Sequence, residues 1–204
     1  AQASIHFEPV KGGSEEHNKR LKFLDYVRPD RTRFNDYWES GTQSDRLAAI
    51  TQNYLDHHPS RKKLHAKATP IREAVVNITE ETTMTDLLRL GSRLNERFGI
   101  SIFQIAIHKD EGYFGSDTDK LNLHAHLVAD WTNPTNGESI KLNRQDMAEM
   151  MYRRISFIIG EVLKLVAPVV PVRTTEFENV APVVLNLVRA LLVRQDKAML
   201  ALLF

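Results

Sequence analysis

Two apolar runs of strand length constrain this 204-residue chain more than any other feature: residues 100–108 (ISIFQIAIH) and residues 121–131 (LNLHAHLVADW). The polar, turn-rich linker between them contains no helical pattern. Parallel neighbours need a long crossover, whereas a short turn-rich link joins strands antiparallel. Helical periodicity elsewhere then makes the expected fold α+β, a central, largely antiparallel sheet of about five strands flanked by helices.

Other segments fill in the rest. Residues 3–9 read as a first strand ending at Pro9 and the Gly12-Gly13 turn. Ser14 is placed to cap a helix over 14–25, with Leu21 and Leu24 facing inward. Residues 28–41 read as loop with one helical turn. A helix capped by Ser44 runs to about Leu55, with Leu47, Ile50 and Tyr54 at helical spacing. Residues 74–79 form a strand, and residues 85–98 a helix stopped by Gly99. Asn136-Gly137 turns the chain into a short strand near 139–142. Asn143 caps a long helix toward Pro168, and a last helix covers 181–204.

One domain of this size buries a proper core. It divides into a core over about 1–165 and a helical extension over about 166–204. With no cysteine, disulfides, thiolate metal sites and thiol nucleophiles are excluded. That composition, and the lack of an apolar leader at the N-terminus, point to a reducing cytoplasm. Apolar runs at 155–172 and 183–193 are interrupted by Glu161, Lys164 and Arg189. A core or self-association surface therefore fits them better than a membrane span.

Net charge is +1, yet residues 58–72 carry Arg61, Lys62, Lys63, Lys67 and Arg72 with no acid. Such a cluster is either a solvated face or a footprint for phosphates.

In a strand, residues two apart share a face about 7 Å apart, so His124 and His126 project together. His108 ends the neighbouring strand and supplies a third imidazole. Three neutral imidazoles suit Mn, Fe, Ni, Zn or Cu, and Mg when phosphate oxygens assist. Asp110 and Glu111 follow His108 directly, as further ligands or as partners that fix a histidine tautomer. The alternative is a set of ordinary structural histidines.

The ordered set HKDE…HAH resembles the third motif of the conjugative relaxases of the HUH endonuclease superfamily. EEHNKRLKFLDYVRPD resembles the first motif of the MobV-type (Mob/Pre) mobilization proteins, and RFNDYW their second patch. AKATPIREAVVNI is similar to the segment where a basic loop enters the central strand. Together these span residues 4–150. The resemblance implies an HUH relaxase-like fold and a site- and strand-specific nickase. Such an enzyme cuts origin-of-transfer DNA by metal-dependent transesterification and stays attached to the 5′ phosphate, which starts plasmid or mobile-element mobilization.

It also implies His108, His124 and His126 as ligands of Mn²⁺ or Mg²⁺, and Glu111 as an acidic participant. His17 becomes the nucleophile, with Arg20 on the scissile phosphate and Tyr37 or Tyr26 as the alternative nucleophile. Arg61, Lys67 and Arg72 become DNA contacts. The implied partners are the single-stranded nic region with its adjacent hairpin, and other mobilization or coupling proteins. No ATP-binding GxxxxGK[ST] occurs.

The chain departs from the family in one place. Many members separate HxDE from HxH by three residues, whereas twelve intervene here, 112–123. A rolling-circle initiator or transposase with a tyrosine nucleophile, a metal-containing DNA-binding accessory protein, and a three-histidine metalloenzyme acting on a small molecule remain open. So does whether the chain is a piece of a longer protein.

Overall fold

The computed structural model describes residues 5–114 and 119–152, all within one compact unit. In chain order they form β1 (Phe7–Pro9), α1 (Ser14–Asn18), a 3-10 turn (Thr32–Phe34), β2 (Asp36–Glu39), α2 (Gln43–His57) and β3 (Ile71–Asn77). Then come α3 (Met84–Phe98), β4 (Ser101–His108), β5 (Gly112–Phe114), β6 (Asp119–Leu121), β7 (His124–Asp130) and α4 (Arg144–Tyr152). Five strands make one sheet in the order β1-β3-β7-β4-β2, antiparallel at every junction. The expected α+β architecture is what the chain adopts.

Helix α3 is the main apolar prop of the sheet. Thr83 and Asp86 form a reciprocal capping box at its start, and Gly99 ends it in the left-handed conformation at φ 72°. Leu87, Leu90, Leu94 and Phe98 recur at three- and four-residue spacing and are buried against Ala74, Val76, Ile105, Ile107, Ala125 and Leu127. Each such leucine contributes about 1.5–3 kcal/mol.

The opposite face carries a smaller core of Ile50 from α2 with Ile71, Phe103 and Val128. Pairing puts Glu73, Val75, Gln104, Ala106, His108, His124, His126 and Val128 on this second face. A bulge between Ile102 and Gln104 makes this arrangement possible. It lets Ile102 pack toward α3 while Phe103 fills the smaller core. Beyond it, β4 resumes with Ile105 and Ile107 on the α3 face and His108 on the other. Without the extra residue, Ile102 and His108 would have to share a side.

Four expectations need correction. The helix expected over 14–25 stops at Asn18, and Leu21 is 70% exposed rather than inward. Residues 28–41 include strand β2, whose four residues pair only with β4 at the sheet edge. The cap of α2 is Thr42, whose hydroxyl accepts from Asp45 N at 3.0 Å, not Ser44, and Leu47 is largely exposed. Near 139–142 there is a single bridge, Thr132 to Ser139, in place of a strand.

Asn143 does cap α4, accepting from Asp146 N at 2.8 Å. The expected continuation toward Pro168, the helix over 181–204 and any self-association through them lie outside the described residues. No helix among the described residues is long and apolar enough to cross a membrane.

Candidate active site and metal centre

Two strands and one short helix bring four histidines together. His108 ends β4 directly opposite His124, which begins β7 with His126 two residues on, and His17 sits in α1. One ring nitrogen from each lies within 4.8 Å of those of the others. His108, His124 and His126 are buried, while His17 is partly open to solvent.

The outer partners of three rings fix their tautomers. His108 Nε2 faces the backbone oxygen of Asn18 at 3.3 Å, and His124 Nδ1 faces that of Asn122 at 2.8 Å. A carbonyl can only accept, so each of these nitrogens carries the proton. His126 Nδ1 likewise donates to Glu73 Oε1 at 3.0 Å. Burial pushes the Glu73 carboxyl upward, but hydrogen bonds from His126, Asn18 and Ser14 outweigh it and hold Glu73 ionised below the usual carboxylate range.

The remaining nitrogens, His108 Nδ1, His124 Nε2 and His126 Nε2, are therefore bare lone pairs facing inward. His126 Nε2 is buried with no hydrogen-bond partner, and His108 Nδ1 lies 3.3 Å from His124 Nε2. Two lone pairs at that distance with no proton between them repel unless a cation sits between them. Nitrogens bound at about 2.0–2.1 Å to one ion are about 3–3.4 Å apart. The donor set fits a divalent metal. Burial, aided by the Arg20 guanidinium, lowers His108 to about 2. Burial also lowers His124. Both rings are therefore neutral at neutral pH, as ligation requires.

Glu111 leans over this cluster. Its Oε1 is 3.6 Å from His108 Nδ1 and 3.5 Å from His17 Nε2, and its Oε2 is 3.7 Å from His124 Nε2. His17 is lowered by burial, then by His126 and Arg20, so it too is neutral. Its ring stands edge-on to His108 and His126, with centroids 5.2 and 5.1 Å away.

Arg20 carries the only positive φ of any non-glycine described residue, 55°. Arg20 N donates to His17 O at 3.0 Å, and Leu21 N to Glu16 O at 2.8 Å. This is a Schellman closure with arginine at the position glycine usually takes. Arg20 Nη2 then reaches both Asp110 Oδ1 and Glu111 Oε1 at 2.7 Å, and Nη1 turns toward His17 Nε2 at 3.5 Å. Fully buried Asp110 also accepts from Asn35 at 2.6 Å and Thr32 at 3.1 Å.

The other expected residues divide by sheet face. Tyr37 faces the histidine side of β2, but its hydroxyl donates to Glu39 Oε2 at 3.0 Å. Burial and that bond raise its pKa. Tyr26 is 42% exposed, and burial followed by Glu111 raises its pKa. Arg61 and Lys67 are exposed in a loop that Leu64 pins to the smaller core, on the histidine side. Arg72 is not brought together with them. Its guanidinium stacks on Trp131 at 4.8 Å, among the residues packed toward α3.

Solved structures share this architecture. One MobM relaxase domain (MOBV; Mob_Pre), a Mn-bound crystal structure at pH 6.5 with a 23-nucleotide oriT DNA of plasmid pMV158, superposes with TM-score 0.58. It is 13% identical over 89% of this chain and 99% of that one. Another, Mn-bound at pH 6.8 with a 22-nucleotide oriT DNA bearing a 3′ thiophosphate, gives 0.55 at 15% identity, over 74% and 81%. The fold is that of the MobM relaxase domain. No protein-family profile matches the chain, and no curated protein matches it in sequence, so the likeness is one of fold. Between the two histidine motifs, β5 (Gly112–Phe114) and β6 (Asp119–Leu121) pair antiparallel.

Sequence reasoning missed Glu73 and the full role of Asp110. Glu73 is one of two adjacent charged residues in an otherwise strand-like run, and only the register with β7 shows that it faces the histidines. A run as short as α1 gives no periodic signal that would bring Asn18 beside them.

Proposed function

We propose that this chain is a metal-dependent DNA-nicking relaxase of the MobV type, acting in the mobilization of a plasmid or other mobile element. The observation that carries this reading is the convergence of three bare imidazole nitrogens beside His17, on the fold of the Mn- and oriT-bound MobM domains. When bound, a divalent ion such as Mn²⁺ or Mg²⁺ polarises a non-bridging oxygen of the scissile phosphate. His108, His124 and His126 hold it.

His17 attacks phosphorus as a neutral imidazole. The P–N bond forms as the P–O3′ bond breaks, the 3′-hydroxyl leaves, and the 5′ phosphate stays on the protein. The proton-free ring nitrogen attacks. Glu111, 3.5 Å from His17 Nε2, takes the proton that the imidazole sheds as the P–N bond forms and passes it to the departing 3′ oxygen. Arg20 Nη1, the edge of the guanidinium turned toward His17, pairs with a phosphate oxygen. Tyr37 and Tyr26 suit the role less well, because both hydroxyls are held protonated.

The exposed loop with Arg61 and Lys67 tracks the DNA backbone on the histidine side. Arg72, on the other side, contacts DNA only where a strand or hairpin wraps the sheet edge. Residues 1–165 serve as the catalytic core, with 166–204 as an extension.

The test is supercoiled DNA carrying the cognate origin, incubated with Mn²⁺ or Mg²⁺. Relaxed circles and a covalent adduct are expected, and the adduct should be lost in mild acid, as a phosphoramidate is and a phosphotyrosine is not. Sequence-specific binding without nicking under any metal would point instead to an accessory DNA-binding protein. Nicking by His17→Ala at the wild-type rate would move the nucleophile elsewhere.

A further inference from the structure

The loop between Arg20 and Val27 presents an apolar rim that the nicking chemistry does not use. Phe23 is 92% exposed, Leu21 70% and Tyr26 42%. Scattered surface apolar residues are ordinary, but a cluster beside a reactive centre marks a contact surface.

The backbone beneath this rim is fixed at both ends to active-site residues. At one end the chain leaves left-handed Arg20, with Leu21 N tied to Glu16 O at 2.8 Å. At the other, Val27 bridges to Glu111, and Arg28 N donates to Asp110 O at 2.8 Å. The rim therefore starts and finishes on the residues that flank His17.

Charge selects the occupant. Residues 20–33 contain Arg20, Lys22, Arg28, Arg31 and Arg33. Arg20 pairs with Asp110 and Glu111, Arg28 with Asp30 and Arg31 with Glu80, so Lys22 and Arg33 carry the outward positive charge. Next along the chain, half-exposed Phe34 is flanked by the guanidiniums of Arg31 at 5.3 Å and Arg33 at 4.8 Å. Aromatic faces set among cations match unpaired nucleobases joined by phosphates, since every base offers a π-face and every linkage a charge. An uncharged lipid or an apolar protein groove would match the apolar half alone.

We infer that the 21–26 rim is a stacking lip for the unpaired bases next to the scissile phosphate, with Phe23 as its principal platform. This rests on the nickase reading. The lip holds the strand open beside His17 without reading its sequence.

The test compares binding of two labelled probes at low salt, an oligodeoxyadenylate and an abasic strand of equal length. Phe23→Ala should weaken the base-bearing strand roughly ten-fold and leave the abasic strand unchanged. Phe23→Trp should restore binding. A 2-aminopurine placed in the base-bearing probe should be quenched by the wild type and not by Phe23→Ala. Equal loss on both probes, no loss on either, or a change in oligomeric state in its place would overturn the lip. Those outcomes leave the nickase reading standing if the wild type still binds and cuts. Wild-type protein that binds neither probe would overturn the lip, while the nickase reading falls only if cognate-origin DNA is not cut.

Discussion

Glu73 Oε1 accepts the His126 Nδ1 proton at 3.0 Å and the Asn18 amide at 2.8 Å. One carboxylate oxygen thus sets the tautomer of a candidate ligand and holds the helix that carries His17. Ser14 donates to the second oxygen at 2.9 Å. The link runs from register, which puts Glu73 on the histidine face, to chemistry, which leaves His126 Nε2 bare.

Glu73→Ala should therefore lower metal affinity about 10–100-fold, the usual cost of losing a ligand's outer partner. Glu73→Gln, which keeps one acceptor oxygen, should fall between the two. Competition against a chromogenic chelator measures this directly. Unchanged affinity in Glu73→Ala would mean that His126 needs no carboxylate to present Nε2.

Acid should destabilise the metal-free protein through the buried histidines. His108 is lowered to about 2 in the folded chain, against about 6.5 unfolded. Between those values the unfolded chain binds more protons, so stability rises with pH. The contribution is complete above about pH 6.5 and is lost as pH falls. His124 and His17, also lowered, act in the same direction. Asp110 and Glu73, held below the usual carboxylate range, add a similar loss only near and below about pH 4. Melting of chelator-treated protein should thus drop between pH 7 and pH 5, and His108→Asn should flatten that drop. An equal slope in the variant would contradict the assignment.

Much of this was legible from the chain because strong periodicity survives folding. The apolar alternation of β4 and β7 and the spaced leucines of α3 announced themselves, and His124-x-His126 needed only strand geometry to be placed on one face. Elements set by single contacts stayed hidden. The end of α1 is fixed by Arg20 in a left-handed closure, where a sequence signal would be glycine. Strand β2 is four residues at an edge, too short for alternation to show. Arg72 looked like part of the basic footprint, yet it and Glu73 face opposite sides of one strand, and only the pairing with β7 decides which faces the histidines.

Gly137→Ala should destabilise the turn that packs on α2. The glycine sits at φ 70°, and an added Cβ would lie 2.5 Å from Tyr54 Cα, which is backbone and cannot swing away. Left-handed strain and overpacking each cost about 1–3 kcal/mol. Denaturant unfolding should show a loss of at least about 2 kcal/mol, with metal affinity little changed because the site is on other elements. A loss below about 0.5 kcal/mol, the range of neutral surface changes, would show that the turn relaxes freely.

Arg20 sets two effects of opposite sign against each other, and magnitude decides between them. Arg20→Gly removes left-handed strain of about 1–3 kcal/mol, which alone would stabilise the chain. It also removes the cation from Asp110, which is fully buried and receives Arg20 Nη2 at 2.7 Å and Nε at 3.3 Å. Stranding one partner of a buried pair costs about 3–5 kcal/mol, so the single variant should be less stable than wild type. Asp110→Asn removes the stranded charge while an amide oxygen still accepts from Asn35 and Thr32. Arg20→Gly/Asp110→Asn should then recover part of the loss, and the relief of backbone strain should become visible against Asp110→Asn alone. A double-mutant cycle in denaturant reads both terms. If the two changes simply add, Arg20 and Asp110 are not coupled, and the arginine must owe its strained place to something other than this carboxylate.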